Sequence, residues 1–207
     1  MEDLHKKYGD DLRVVYKQLV VHPRNAMASA LAFCAASKQG KAMEMNNLLW
    51  ERGFKGKQMD MSDVAPPAEN PQQAPGKPQI ATGEKGGSAA GGAPQKCWDT
   101  PAGCNFVVGF AKELQLDVEK FKADMKGPCQ PFVQKDMREL QQLGVGATPG
   151  FFVNGRFLSG AMPLETFVGL IDEELKKANA AIAAGTPKGE YYKQMVLDKG
   201  LKSLGGS

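Results

Sequence analysis

"GVGATPGFFVNGRFLSG", Gly144 to Gly160, contains the most decisive local signal in this 207-residue chain. Phe151, Phe152 and Val153 precede Asn154-Gly155, and Phe157 and Leu158 follow it. Apolar β-formers on both sides of an Asn-Gly pair predict a two-residue hairpin, because a type I′ turn needs positive φ at both central residues. Read from the residues alone, Pro149 begins an edge strand, where its missing N–H breaks no ladder bond.

Outward from the hairpin, the pattern turns helical on both sides. Pro163-Leu-Glu-Thr-Phe opens an amphipathic helix with Phe167, Leu170, Ile171 and Leu175 on one side. Beyond Gly185 a short helix and a frayed end are expected. Upstream, helices are predicted over Asn105–Leu114, Val118–Lys126 and roughly Pro131–Leu143, with Asp117 as N-cap of the second. Further back come an alanine-rich helix over Ala26–Lys38 and another over Lys41–Trp50. Residues 1–12 read as a helix with Leu4 and Tyr8 one turn apart. "LRVVYKQLVV", Leu12–Val21, is rich in β-branched residues and predicts a buried strand ended by His22-Pro23.

Composition shifts sharply in the middle. Val64–Lys96 is dominated by Pro, Gly, Ala, Gln and Ser, with Ile80 almost its only sizeable apolar residue. Such a segment cannot offset its ordering entropy by burial, so a flexible insertion is expected. The domain reading is therefore 1–63, the insertion 64–96, a helical subdomain 97–143, the hairpin and helix 144–185, and a tail 186–207. The net charge of +3 is small and scattered, which argues against nucleic acid as partner. No apolar run approaches the ~18 residues of a membrane span. The start, "MEDLHKK", has no apolar h-region, so no signal peptide is expected in this chain.

Strand, helices, hairpin, helix is the order of an α/β fold with an inserted helical subdomain. Four stretches make the chain similar to the DsbA-like branch of the thioredoxin superfamily: "YGDDLRVVYKQLVVHP" (8–23), "ALAFCAASKQGKAMEMNNLLW" (30–50), "LQLDVEKFKADM" (114–125) and "GVGATPGFFVNGRFLSGAMPLETFVGLIDEEL" (144–175). The last resembles the family's GTP-x-FFVNG followed by Gly-Ala-x-Pro, with Ala147 where a glycine usually stands. The resemblance implies a thioredoxin-like fold with a cis Thr148–Pro149 bond. Val145, Thr148 and Pro149 would then line a groove that takes extended polypeptide by strand addition.

The resemblance also exposes what this chain does not contain. The family's chemistry uses a Cys-x-x-Cys at the start of its first long helix, where the helix dipole lowers a thiol pKa. No Cys-x-x-Cys occurs here, so no catalytic residue is assigned within the chain. The motif and the strand leading into it, which the resemblance places between "LRVVYKQLVV" and "GFFVNGR", are expected upstream of Met1. A second chain supplying that strand, or a misassigned start, are the other readings.

The four cysteines are Cys34, Cys97, Cys104 and Cys129. Cys34, in "AFCAAS", reads as a buried free thiol packed as a small hydrophobe. "CWDTPAGC" spaces Cys97 and Cys104 too widely for zinc ligand pairs, and neither His5 nor His22 is near in sequence, so no metal site and no cofactor is expected. Cys104 opens one predicted helix and Cys129 follows the end of the next. Antiparallel helices so joined bring those ends together, which predicts a Cys104–Cys129 disulfide, with Cys97–Cys129 as fallback. A disulfide implies an oxidising compartment, in agreement with the periplasmic or otherwise extracytoplasmic setting that the resemblance implies. Function then reads as a thiol–disulfide oxidoreductase of the DsbA-like class acting on cysteines of extracytoplasmic polypeptides. The alternative is a non-catalytic peptide-binding chaperone or adaptor. A glutathione-dependent isomerase is a third reading, less favoured by the FFVNG segment. The expected partners are extended polypeptides and a redox partner protein, with self-association if the absent strand is supplied in trans.

Overall fold

The structure is a computed structural model that describes residues 1–22, 26–56 and 95–200. Most of the predicted 64–96 insertion, all but its last two residues, lies outside these. The chain divides into two units, one of residues 1–21 with 134–207 and one of residues 22–133.

The first unit is built on a two-stranded antiparallel sheet, β1 (Gly150–Val153) and β2 (Arg156–Ser159), in the register Phe151 to Leu158 and Val153 to Arg156. The turn follows from its two residues. Asn154 has φ +47° and Gly155 φ +90°, the left-handed values that an Asn-Gly pair adopts at little cost. Helix α7 (Leu164–Ala183) follows, and its Phe167 and Ile171 meet Leu4 and Tyr8 of α1 (Glu2–Tyr8) in a core that also takes Phe151, Val153 and Leu158 from the sheet. Phe151 meets Phe167 edge-on at 4.8 Å. The Tyr8 hydroxyl donates to Asp172 Oδ1 at 2.6 Å, tying α1 to α7. The tail forms a short 3₁₀ turn, Lys188–Glu190, and a π-helical turn, Tyr192–Leu197.

One predicted element does not form. Leu12–Val20 is extended at its start, and burial alternates over residues 12–15, yet it belongs to no strand. β-Branched composition favours a pleated surface only where a neighbour completes the ladder, and among the described residues none lies alongside. Carboxylates of α6 (Cys129–Gln142) hold the segment instead, through Lys17 and Gln18.

In the second unit α2 (Met27–Ser37) is packed by α3 (Ala42–Leu48), α4 (Asn105–Glu113) and α5 (Val118–Lys126). Thus α2 and α3, grouped by sequence with residues 1–63, pack with α4 and α5. Ala28, Leu31, Ala32, Ala35 and Ala36 are fully buried on α2, which lets Phe110, Phe121, Met45 and Met125 close around it. Helix α3 continues as a π-helical turn, Leu49–Lys55. Asp117 caps α5 as expected, its side chain accepting from the Lys120 amide at 2.9 Å.

The cysteine pairing differs from the expectation. Cys34 is bonded to Cys129 and Cys97 to Cys104, so there is neither a Cys104–Cys129 nor a Cys97–Cys129 bond, and Cys34 is not free. The third predicted helix begins at Cys129 rather than at Pro131, which places Cys129 in the first turn of α6 beside α2, at a Cα separation of 5.8 Å from Cys34. Residues 97–99 form a 3₁₀ turn and the Gly103 amide returns to the Thr100 carbonyl. That fold-back brings Cys97 to within a Cα distance of 4.8 Å of Cys104.

Candidate functional site

The segment between α6 and β1 is shaped at its start by the end of the helix. Past Gln142 the backbone reverses at Gly144, whose φ of +74° suits glycine. The Gly144 amide bonds the Gln141 carbonyl and the Val145 amide bonds the Leu140 carbonyl, each at 2.9 Å. This is a Schellman termination, and Leu140 and Val145, the positions whose apolar side chains usually accompany it, are both buried. Of the three residues assigned to a docking groove, Val145 therefore stands behind the loop and closes the helix. The sequence signal for that role was Leu-Gly-Val directly after a helical run.

Thr148 and Pro149 are exposed, together with Gly146, Ala147 and Gly150. The Thr148–Pro149 peptide bond is cis. The Pro149 carbonyl accepts from the Gly160 amide at 2.8 Å, continuing the β1–β2 ladder by one step. Among the described residues, no hydrogen bond engages the amides of Gly146, Ala147 and Thr148. The hairpin register extends this open edge. Val153 and Arg156 flank the two-residue turn as a bonded pair, so bonded pairs recur at 151/158 and 149/160. The N–H and C=O groups of Gly150 and Phe152 consequently point away from β2. From Gly144 to Val153 no residue is charged. The loop is a neutral row of backbone donors and acceptors, chemically suited to an extended polypeptide backbone.

All four cysteines are 5% exposed or less, and both disulfides lie in the unit of residues 22–133, whereas the loop belongs to the other unit. Among the described residues no group of three His, Cys, Asp or Glu side chains could hold a metal ion, and no helix is long and apolar enough to cross a membrane.

A family model described as thioredoxin matches residues 1–173. The chain belongs to the thioredoxin family. This thioredoxin-family chain is also 27% identical over 172 residues to a Na(+)/H(+) antiporter NhaA of Herminiimonas arsenicoxydans, a match that takes in 83% of the chain and 20% of the antiporter. The chain thus spans about a fifth of that relative's length. No solved structure matches it. The family places the hairpin and its preceding proline in an α/β thioredoxin-like domain with a small two-stranded sheet.

Proposed function

We propose that this chain is the substrate-docking part of a DsbA-like thiol–disulfide oxidoreductase that acts on cysteines of extracytoplasmic polypeptides. The observation that carries the reading is the row of amides at Gly146, Ala147 and Thr148, unbonded among the described residues, leading directly into β1. A backbone laid against that row gains hydrogen bonds regardless of its sequence, which is what an enzyme with many protein substrates requires. Membership of the thioredoxin family supports the chemistry, and the two buried disulfides support an oxidising compartment. The match to one fifth of an antiporter supports a module that works within larger assemblies. In this reading the exchanging cysteine pair comes from outside these residues, because the chain's own four cysteines are bonded to one another. That same pairing favours a second reading, a binder of extended polypeptides with no redox step.

Titration of the isotope-labelled chain with an unstructured, cysteine-free polypeptide tests the docking role. Amide resonances of residues 146–152 should shift, and Ala147→Pro, which removes one of the open donors, should weaken binding. Shifts confined to other residues, with unchanged binding by Ala147→Pro, would overturn it. A disulfide-reduction assay separates the readings. The chain alone should show background turnover, and adding a Cys-x-x-Cys-bearing upstream segment should raise it well above background for the enzyme and leave it unchanged for the binder. Turnover by the chain alone that Cys97→Ser abolishes would move the chemistry to a cysteine assigned here a structural role.

A further inference from the structure

The second edge of the hairpin carries a separate message. By the alternation above, Arg156 and Leu158 bond inward to β1, so the N–H and C=O groups of Phe157 and Ser159 face outward from β2. Proteins usually blunt such an edge with Lys, Pro or a bulge; the outward-bonding positions here hold none of these. On the α7 side of the same edge runs a groove of about 320 Å³. Its floor is Leu158, Gly169 and Leu170, and no atom lies within 4 Å of where a Cβ on Gly169 would be. At one end Arg156 Nη1 is shared between Glu173 at 2.5 Å and Glu174 at 3.3 Å. At the other end stands Glu165, an exposed carboxylate with no ion pair or hydrogen bond among the described residues.

We propose that β2 is a self-pairing edge: two copies of the chain join β2 to β2, antiparallel, about a twofold axis at Leu158. The register is set by the bonding pattern. Phe157 stands opposite the partner's Ser159 and exchanges two hydrogen bonds with it, and the symmetry makes four in all. Leu158 meets the partner's Leu158 on the α7 face, where the groove gives the two side chains room. Arg156 stands opposite the partner's Gly160, which has no side chain to block it, and reaches the partner's Glu165. Arg156 holds both of its own carboxylates through Nη1, and the unpaired Glu165 lines the same groove from the start of α7, so a single antiparallel step brings each copy's Glu165 to the other's guanidinium. That charge complementarity, together with the open edge, selects a second copy as the occupant. Four backbone hydrogen bonds and two leucines make a small interface, so the dimer is weak and concentration-dependent.

Sedimentation velocity on the full chain, from about 10 µM to about 1 mM where weak interfaces are populated, tests this. The sedimentation coefficient should rise with concentration. Glu165→Arg, a substitution at an exposed helix position, replaces the attraction by repulsion and should weaken association at least about tenfold. Ser159→Pro removes one outward amide and should also weaken it, with an unchanged circular dichroism spectrum showing that the fold is kept. A chain that stays monomeric throughout overturns the proposal. So does a dimer that Glu165→Arg leaves unchanged, since the contact would then lie on another surface or involve the open edge of β1.

Discussion

The backbone amide of Gln18 donates to Oδ2 of Asp136 at 2.9 Å, a bond between residues 118 positions apart. Lys17 Nζ lies 3.0 Å from Oδ1 of the same carboxylate, which is 4% exposed. A side chain on α6 thus gives the Leu12–Val20 segment the kind of partner that a neighbouring strand would have provided. Replacing Asp136 by Ala leaves the Gln18 amide without its acceptor and Lys17 without its nearest buried anion. Hydrogen bonds to charged groups contribute about 1.5–3 kcal/mol, so Asp136→Ala should destabilise by about 2 kcal/mol or more in denaturant unfolding. Asp136→Asn keeps an acceptor and should lose less.

Stability should fall on the acid side for an identifiable reason. Glu174 is 7% exposed; burial pushes its carboxyl up, but the Lys177 ammonium at 2.7 Å and the Arg156 guanidinium at 3.3 Å outweigh that and hold it below its ordinary 4.5. Asp172 is lowered chiefly by the Tyr8 hydroxyl, and Glu139 by Lys17. A group with a depressed pKa in the folded state binds protons more readily when unfolded. Its stabilisation is therefore complete above the ordinary carboxylate range and disappears as pH falls through the lowered values. Melting temperature should be level above about pH 5 and drop below the ordinary carboxylate range, and Glu174→Gln should make the drop shallower.

The two disulfides should differ in their effect on stability. Cys34–Cys129 spans 95 positions and Cys97–Cys104 only 7. In the chain-entropy model those loops correspond to about 4.7 and about 2.4 kcal/mol. A Cys34→Ser, Cys129→Ser double variant should accordingly unfold at clearly lower denaturant than a Cys97→Ser, Cys104→Ser double variant. Equal midpoints would show that the short loop contributes through packing, Trp98 being buried inside it.

Gly155 isolates a conformational effect from a steric one. Its φ is +90° and no atom lies within 4 Å of where a Cβ would be. Gly155→Ala meets no clash and should cost about 1 kcal/mol from left-handed backbone alone. Gly155→Asn should cost less, since Asn tolerates that region. Thermal unfolding of the two variants provides the comparison.

The hairpin and α7 were legible because their determinants are local. Asn154-Gly155 fixes the turn, the turn fixes the register, and Phe167 and Ile171 recur at the period of a buried helical face. The Leu12–Val21 strand was misread because a strand is a property of a pair, and no residue of "LRVVYKQLVV" encodes whether the neighbour is present. The disulfides were misread for a related reason. Cys34 was assigned to packing by its alanine neighbours, while its partner lay 95 positions away and was displaced by a helix that starts two residues early. The loop at Thr148–Pro149 was placed by the resemblance, but the burial of Val145 followed from a helix termination that only the backbone path reveals.

The alanine face of α2 constrains how this unit can change over evolutionary time. Ala28, Ala32, Ala35 and Ala36 have no exposed surface, and three helices close on them. Enlarging any of these methyls forces backbones apart, whereas a Met or Phe facing them can be trimmed and partly repacked. Drift at these four positions is thereby restricted to Gly, Ala, Ser and Cys. New capability in this half of the molecule has to arise on the outward faces of α3, α4 and α5, with the helix between them inherited nearly intact.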